Sequence, residues 1–279
     1  MRIVAHLSDL HFGREDERIV EGLLENLAGF PPSVVVVSGD LTQRARKKQF
    51  EAAGAFLRKI PVPCLVVPGN HDIPFYDFIR RALTPLRRYR RYITTDLNPA
   101  FQDNELIILG ANTARAAAFK NGRISMAQIK ILTGEFCSVD RPLFKVLVTH
   151  HPFLPPLDDP HAALVGRGAQ AVEALEPCGL DLLLAGHYHR GYMGDLHSHY
   201  IAVKRSIIVA QAGTATSKRT RGEKNSFDRI IIDPPGIRFD RYVWDDRRFA
   251  KTTTTSYKKV NDAWQLQPSS FSETTEAAG

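Results

Sequence analysis

The stretch LLLAGHYHRGY, Leu182–Tyr192, sets His187 and His189 on either side of one tyrosine, directly after a run of leucines. In extended backbone alternate side chains share a face, so the two imidazoles address one spot and Tyr188 the opposite side. Alone, the pair is an ordinary polar strand end before it is half of a metal site. Four other strand-like runs end in a comparable way. RIVAHL leads into SDLH, with Asp9 and His11; SVVVVS leads into Gly-Asp, with Asp40; CLVVP leads into GNHD, with Asn70 and His71; and FKVLV leads into THHP, with His150 and His151. Apolar runs this continuous suit strands buried on both faces.

The segments between them carry helical spacing. DERIVEGLLENLAGF repeats Ile19, Leu23, Leu24 and Leu27 before Pro31 stops the pattern, and ARKKQFEAAGAFLRKI puts Phe50, Ala53, Phe56, Leu57 and Ile60 on one face. The opening is β-α-β-α-β. Later, LIILGAN, SIIVAQAG, FDRIIID and IRFDRYVW read as further strands, the last of them without long helices between, which predicts a second sheet packed on the first. With 279 residues, 43% hydrophobic and 24% charged, the chain can bury one large core and is not disordered as a whole. No repeat or linker divides it. From about Thr252 the sequence turns polar and simple, so residues 1–250 are expected to form the domain and 251–279 an extension whose last dozen residues are disordered.

A formal charge of +7 favours anionic partners without choosing among them. Three cysteines, Cys64, Cys137 and Cys178, without a CxxC spacing, are poor material for a disulfide framework and fit a reducing compartment. The amino-terminal residues enter a strand pattern at once, and no apolar run reaches membrane-span length. A cytoplasmic protein, with room for peripheral membrane contact, is therefore expected.

In open α/β sheets ligands gather beyond the carboxyl ends of the strands, and here five such ends deliver metal-capable side chains. Each has a bland reading, since an Asp after a strand often caps a turn and a His on an apolar edge is often only hydrogen-bonded. Five in succession are poorly explained that way.

On SDLHFG, SGDLT, PGNHD, THHP and GHYH, in that order, the sequence resembles the calcineurin-like metallophosphoesterase family, over roughly the first three-quarters of the chain. The resemblance implies a four-layer α/β/β/α sandwich, two mixed β-sheets flanked by helices, with two divalent metal ions at the strand ends. It implies Asp9, His11 and His189 as ligands of one ion, Asn70, His150 and His187 as ligands of the other, and Asp40 as the bridge. A hydroxide shared by the two ions would attack phosphorus in line with the leaving alcohol. Two dications less Asp9, Asp40 and that hydroxide leave about +1 to hold a phosphate ester. His71 is the family's candidate for protonating the leaving oxygen, with Asp72 either orienting its ring or capping a turn. Asn70, His71 and His151 are expected against the substrate phosphate, His151 having a structural role as an equal alternative. Mixed oxygen and nitrogen ligands suit Mn, Fe, Co or Zn.

After Gly-Asp the chain reads LTQRA and lacks the Asp-Arg-Gly that marks protein Ser/Thr phosphatases. The whole pattern is most similar to the bacterial class III cyclic-nucleotide phosphodiesterase group, and less closely to the hydrolases of UDP-linked lipid A precursors and to the exonuclease branch. A non-catalytic scaffold is the reading from another class, and a complete ligand set argues against it. FIRRALTPLRRYRRYITTD carries Arg80, Arg81, Arg87, Arg88, Arg90 and Arg91, either as a solvated helix face or as a grip on a long anionic substrate, nucleic acid or an acidic membrane surface. GTATSKRTRGEKNSF is either a substrate-facing loop or a solvent loop.

Overall fold

Val34, Val35, Val36 and Val37 are all fully buried, and alternation divides them between two cores. Val34 and Val36 pack with Val4, Val146, Val148, Leu182 and Leu184, whereas Val35 and Val37 pack with Leu23, Leu27, Phe50 and Phe56. A strand buried on both faces needs a layer on each side, so this run requires helices over one face and a second sheet over the other. The computed structural model, which describes residues 1–156, 158–200 and 204–268, has that arrangement.

In chain order the elements are β1 (Arg2–Leu7), α1 (Glu17–Gly29), β2 (Val34–Val37), α2 (Lys47–Arg58), β3 (Cys64–Val66), α3 (Phe78–Leu83), α4 (Arg87–Tyr92), β4 (Ala100–Gln102), β5 (Leu106–Gly110), α5 (Met126–Cys137), β6 (Phe144–Val148), α6 (Gly168–Leu175), β7 (Leu182–Ala185), β8 (Tyr192–Asp195), β9 (Ile208–Gln211), β10 (Ser226–Asp233), β11 (Gly236–Trp244), β12 (Phe249–Val260) and β13 (Ala263–Gln267). One sheet has the order β13-β12-β11-β10-β1-β2-β3, parallel across β1, β2 and β3 and antiparallel elsewhere. The other runs β4-β5-β6-β7-β9-β8, parallel from β5 through β9 with antiparallel edges. Ile19, Leu23 and Leu27 of α1 and Phe50, Ala53 and Phe56 of α2 cover the first sheet. Ile129, Leu132 and Phe136 of α5 and Ala171, Val172 and Leu175 of α6 cover the second. The expected four-layer α/β/β/α sandwich of two mixed sheets is the fold.

The domain limit expected at residue 250 lies inside β12, which pairs with β11 along its length and turns at Asn261 and Asp262 into β13. Both turn residues have positive φ, 49° and 62°, as a tight two-residue hairpin requires. The expectation about the last dozen residues falls mostly on 269–279, outside the described residues. The cysteine expectation needs correction. Cys137, at the end of α5, and Cys178, just beyond α6, form a disulfide across 41 residues, and Cys64 alone remains free. The pairing is set by how α5 packs on α6, which spacing along the chain does not reveal.

His6 of β1 is fully buried, with Nε2 2.9 Å from Ser38 Oγ, and burial pushes its imidazole down to about 4. The unfolded chain therefore binds a proton that the native protein refuses between about pH 6.5 and 4. This contribution to stability is present above that window and is lost as pH falls through it, by about 3 kcal/mol in all. His6→Gln is expected to flatten the dependence of urea unfolding free energy on pH between 7 and 4.5. An unchanged slope would exclude the assignment.

Candidate metal centre

The motif-bearing strands deliver their side chains to one edge. Asp9 and His11 follow β1, Asp40 follows β2, and Asn70 and His71 follow β3, all from the first sheet. His150 and His151 follow β6 and His187 and His189 follow β7, from the second. Asp9, His11, Asp40, His187 and His189 all adopt positive φ, between 47° and 82°. Such backbone costs about 1–3 kcal/mol at a residue other than glycine, and it turns each side chain sharply out of its strand. Two glycines let the loops close. Gly39, at φ +97°, leaves space that His150 occupies, and a Cβ on Gly69 would stand 2.1 Å from Asp40 Oδ1.

The seven expected ligands meet in two groups. In one, His11 Nε2 and His189 Nε2 are 3.1 Å apart, and Asp9 Oδ1 lies 3.3 Å from His189 Nε2 and 3.5 Å from His11 Nε2. In the other, Asn70 Oδ1 is 3.1 Å from both His150 Nε2 and His187 Nδ1, which are themselves 3.3 Å apart. Asp40 stands between, with Oδ2 3.7 Å from His11 Nε2 and Oδ1 3.4 Å from His150 Nε2.

These spacings fit cations. Atoms each about 2.1 Å from a shared ion lie about 3.0–3.4 Å from one another. Asp9 Oδ1 is buried with no hydrogen-bond partner although two imidazoles face it, and Asp9 and Asp40 are buried without an ion pair to any described lysine or arginine. Buried carboxylates in that condition call for positive charge. Backbone carbonyls fix two of the rings. His150 Nδ1 is 2.8 Å from Ser38 O and His189 Nδ1 2.7 Å from Arg219 O. A carbonyl only accepts, so each Nδ1 carries the proton and each Nε2 turns its lone pair to the centre. Asn70 donates Nδ2–H to Phe119 O, which aims its Oδ1 at the imidazoles.

Electrostatics point the same way. Burial works to raise the Asp9 and Asp40 carboxyls, but the surrounding imidazoles hold both well below the usual carboxylate range. Burial pushes His187 down to about 3 and lowers His189, favouring the neutral, ligating form. His150 moves up to about 9: burial opposes its charging, and the Asp40 carboxylate outweighs burial. The second proton that His150 gains would sit on Nε2 beside Asp40, a position that a cation could take in its place.

Two expectations change. Asp72 does not orient the His71 ring, because its carboxylate accepts N–H bonds from Leu41, Thr42 and Gly69 and the Thr42 hydroxyl, and so ties β2's loop to β3's. Gln43 O, 2.9 Å from His71 Nδ1, holds the ring instead. His151 is not free to meet a substrate phosphate, since Nδ1 lies 2.8 Å from Thr113 Oγ1 and Nε2 2.9 Å from Lys120 O. The arginine stretch also divides. Arg81 is buried, donating to the carbonyls of Pro74, Ala116 and Ala118, and Arg88 donates to Ala45 O, whereas Arg87, Arg90 and Arg91 are exposed.

Individual residues that sequence reasoning did not single out complete the site. Thr214 and Thr216 donate to the carbonyls of Asp9 and Leu10 and brace that loop. Arg219 brings Nη1 to 3.4 Å from His71 Nε2. All three lie in GTATSKRTRGEKNSF, so the segment carried the signal and its particular residues did not. A cavity of about 210 Å³ opens over the centre, lined by Asp40, Asn70, His71, His187, Arg219 and Arg221 among others.

A sequence model described as calcineurin-like phosphoesterase matches residues 3–191. The glycerophosphodiester phosphodiesterase GpdQ of Enterobacter lignolyticus (strain SCF1) is 32% identical over 92 residues, 28% of this chain, and the match spans only 33% of that protein. Among solved structures, the purple acid phosphatase PPD1 from yellow lupin (Lupinus luteus) seeds is similar with a TM-score of 0.68 at 13% identity, over 91% of this chain and 53% of that one. A dimetal phosphatase from Danio rerio (LOC 393393) is similar with a TM-score of 0.63 at 11% identity, over 90% and 98%. Both structural likenesses speak for the fold alone.

Proposed function

The chain belongs to the calcineurin-like phosphoesterase family, and from that premise we propose that this metal-dependent phosphoesterase is a dinuclear phosphodiesterase. Asp9, His11 and His189 would hold one ion, Asn70, His150 and His187 the other, and Asp40 stands where both could share it. The observation that carries the reading is Asp40 itself, whose two oxygens are turned to different imidazole groups. Bound divalent ions supply Lewis acidity to a phosphoryl oxygen and a water acidic enough to lose its proton near neutral pH.

The chain's own groups do the rest. Only Asp9 and Asp40 among the seven ligands bring formal negative charge, so the centre stays attractive to a phosphate ester. Arg219 and Arg221 line the cavity and are placed to meet charge on the non-bridging oxygens. His71, fixed at Nδ1 by Gln43 O, turns Nε2 to the cavity and delivers a proton to the leaving oxygen. Similarity to a glycerophosphodiester phosphodiesterase favours a diester over a monoester, with cyclic nucleotides among the candidate substrates.

A second reading, hydrolysis of a lipid-linked pyrophosphate at a membrane surface, is favoured by α3, where Phe78, Ile79 and Leu83 are exposed near exposed Arg87, Arg90 and Arg91. No described helix is long and apolar enough to cross a membrane.

The test is a panel of bis-(p-nitrophenyl) phosphate, aryl monoesters, 3′,5′-cyclic nucleotides, single-stranded DNA and a UDP-linked lipid in mixed micelles, after loading with Mn, Fe, Co or Zn. The diester is expected to turn over faster than the monoester, with about two ions per chain by mass spectrometry. Chelation is expected to abolish turnover and lower Tm. Full activity at one ion per chain would overturn the dinuclear reading, and preference for the monoester the diesterase reading.

A further inference from the structure

Beside the catalytic cavity runs a second and larger one, about 710 Å³, lined by Gly13, Arg14, Gln43, Arg44, Arg46, Gln49, Tyr76, Lys218 and Arg219. Five of these are cations and none is an acid. Among the described residues none of the five takes part in an ion pair, whereas Arg18, Arg80 and Arg241 each pair with an aspartate. Like charges gathered in a groove repel one another and hold their field toward whatever anion enters.

The groove is a built feature. Gln49 Oε1 accepts the backbone N–H of both Arg44 and Arg46 and so sets the course of that loop. The Arg44 guanidinium lies 5.0 Å from the Phe75 ring centroid and 5.6 Å from that of Tyr76, which holds its plane without using its N–H donors. Gly13 faces the Gln49 amide so closely that a Cβ would stand 2.2 Å from Nε2. Arg219 lines both cavities, and its Nη1 is 3.4 Å from His71 Nε2, so the groove departs from the centre on the side of His71.

We propose that the natural substrate carries a second phosphate on its leaving group, and that Arg14, Arg44, Arg46 and Lys218 receive it in this groove. The proposal rests on the reading of His71 as the leaving-group side of a phosphodiesterase. It narrows the substrate class to esters whose departing half is itself phosphorylated, as in a nucleotide strand or a pyrophosphate-bearing conjugate. A simple alkyl diester or a nucleoside 3′,5′-cyclic monophosphate lacks that group.

The dinucleotides TpT, pTpT and TpTp test it, because the last two add a phosphate to one end or the other. For the metal-loaded protein, kcat/KM for one of the phosphorylated pair is expected to exceed that for TpT by about tenfold or more, falling as salt rises. In the triple variant Arg44→Gln/Arg46→Gln/Lys218→Gln the ratio should drop to near one. A wild-type ratio near one for both, or a ratio the variant preserves, overturns the proposal. Binding of dye-labelled TpT, pTpT and TpTp to the chelator-treated protein, followed by anisotropy, gives an answer independent of turnover. Tighter binding of a phosphorylated form that the variant loses supports the groove even if no diester is cleaved. Equal binding of all three overturns it. Separate arms with single-stranded DNA and a UDP-linked lipid distinguish the two sources of such a phosphate.

Discussion

Asp40→Ala is expected to lower kcat/KM for bis-(p-nitrophenyl) phosphate by about 10³-fold or more, or roughly 4 kcal/mol of transition-state stabilisation, and to leave the protein with fewer than two ions. The residue is buried between the two imidazole groups, so its loss would remove a carboxylate oxygen from beside each and half of the formal negative charge among the seven. It also removes the acceptor for His71 N–H at 2.8 Å, a backbone bond that Asp40→Asn can keep through its carbonyl oxygen. If the carboxylate's role is to join two cations, the asparagine variant should be nearly as impaired as the alanine variant, with far-UV circular dichroism unchanged in both. Near-normal turnover and two ions in either variant would reject the shared ligand.

His71→Ala should separate substrates by leaving group. For diesters that release an alcohol, kcat is expected to fall by about 10²–10⁴-fold, because the departing alkoxide then has no positioned proton. For activated aryl diesters, whose phenolate departs without one, the fall should be far smaller. The ring's neighbours make this specific. Gln43 O fixes Nδ1–H, so Nε2 bears a proton only in the imidazolium; burial and Arg219 make that cation a stronger acid, while the nearby Asp40 carboxylate favours its formation. A proton held there is consequently given up readily. An equal loss on both substrate types would show that His71 only shapes the site.

Much of this arrangement was legible in the sequence because it depends on short-range pattern. The run Val34–Val37 required covering layers on two sides, and both are present. The five strand ends pointed to one edge because parallel strands in a sheet share a direction, and all seven predicted ligands do converge. What escaped reading depended on contacts between distant segments. Whether Asp72 meets His71 or the amides of Leu41 and Thr42 is decided by how closely β2's loop approaches β3's, which no local spacing encodes. The same holds for His151, whose ring is claimed by Thr113 and Lys120, and for Cys137 with Cys178. The polar run after Thr252 is different, because its signal was present and outweighed. TTTTSY is rich in β-branched and aromatic residues, and Asn-Asp marks a tight turn, so β12 and β13 followed from propensity even though their outer faces are solvated.

The origin of the ligands in both sheets has a consequence for biogenesis. A ribosome that has delivered the first 72 residues has supplied Asp9, His11, Asp40 and Asn70, yet neither proposed cage can close. Each awaits an imidazole from the short segment His187–His189, which emerges after nearly two-thirds of the chain. On the proposed ligand sets, metal binding requires both halves of the sandwich to be docked, and bound ions would fasten one half to the other.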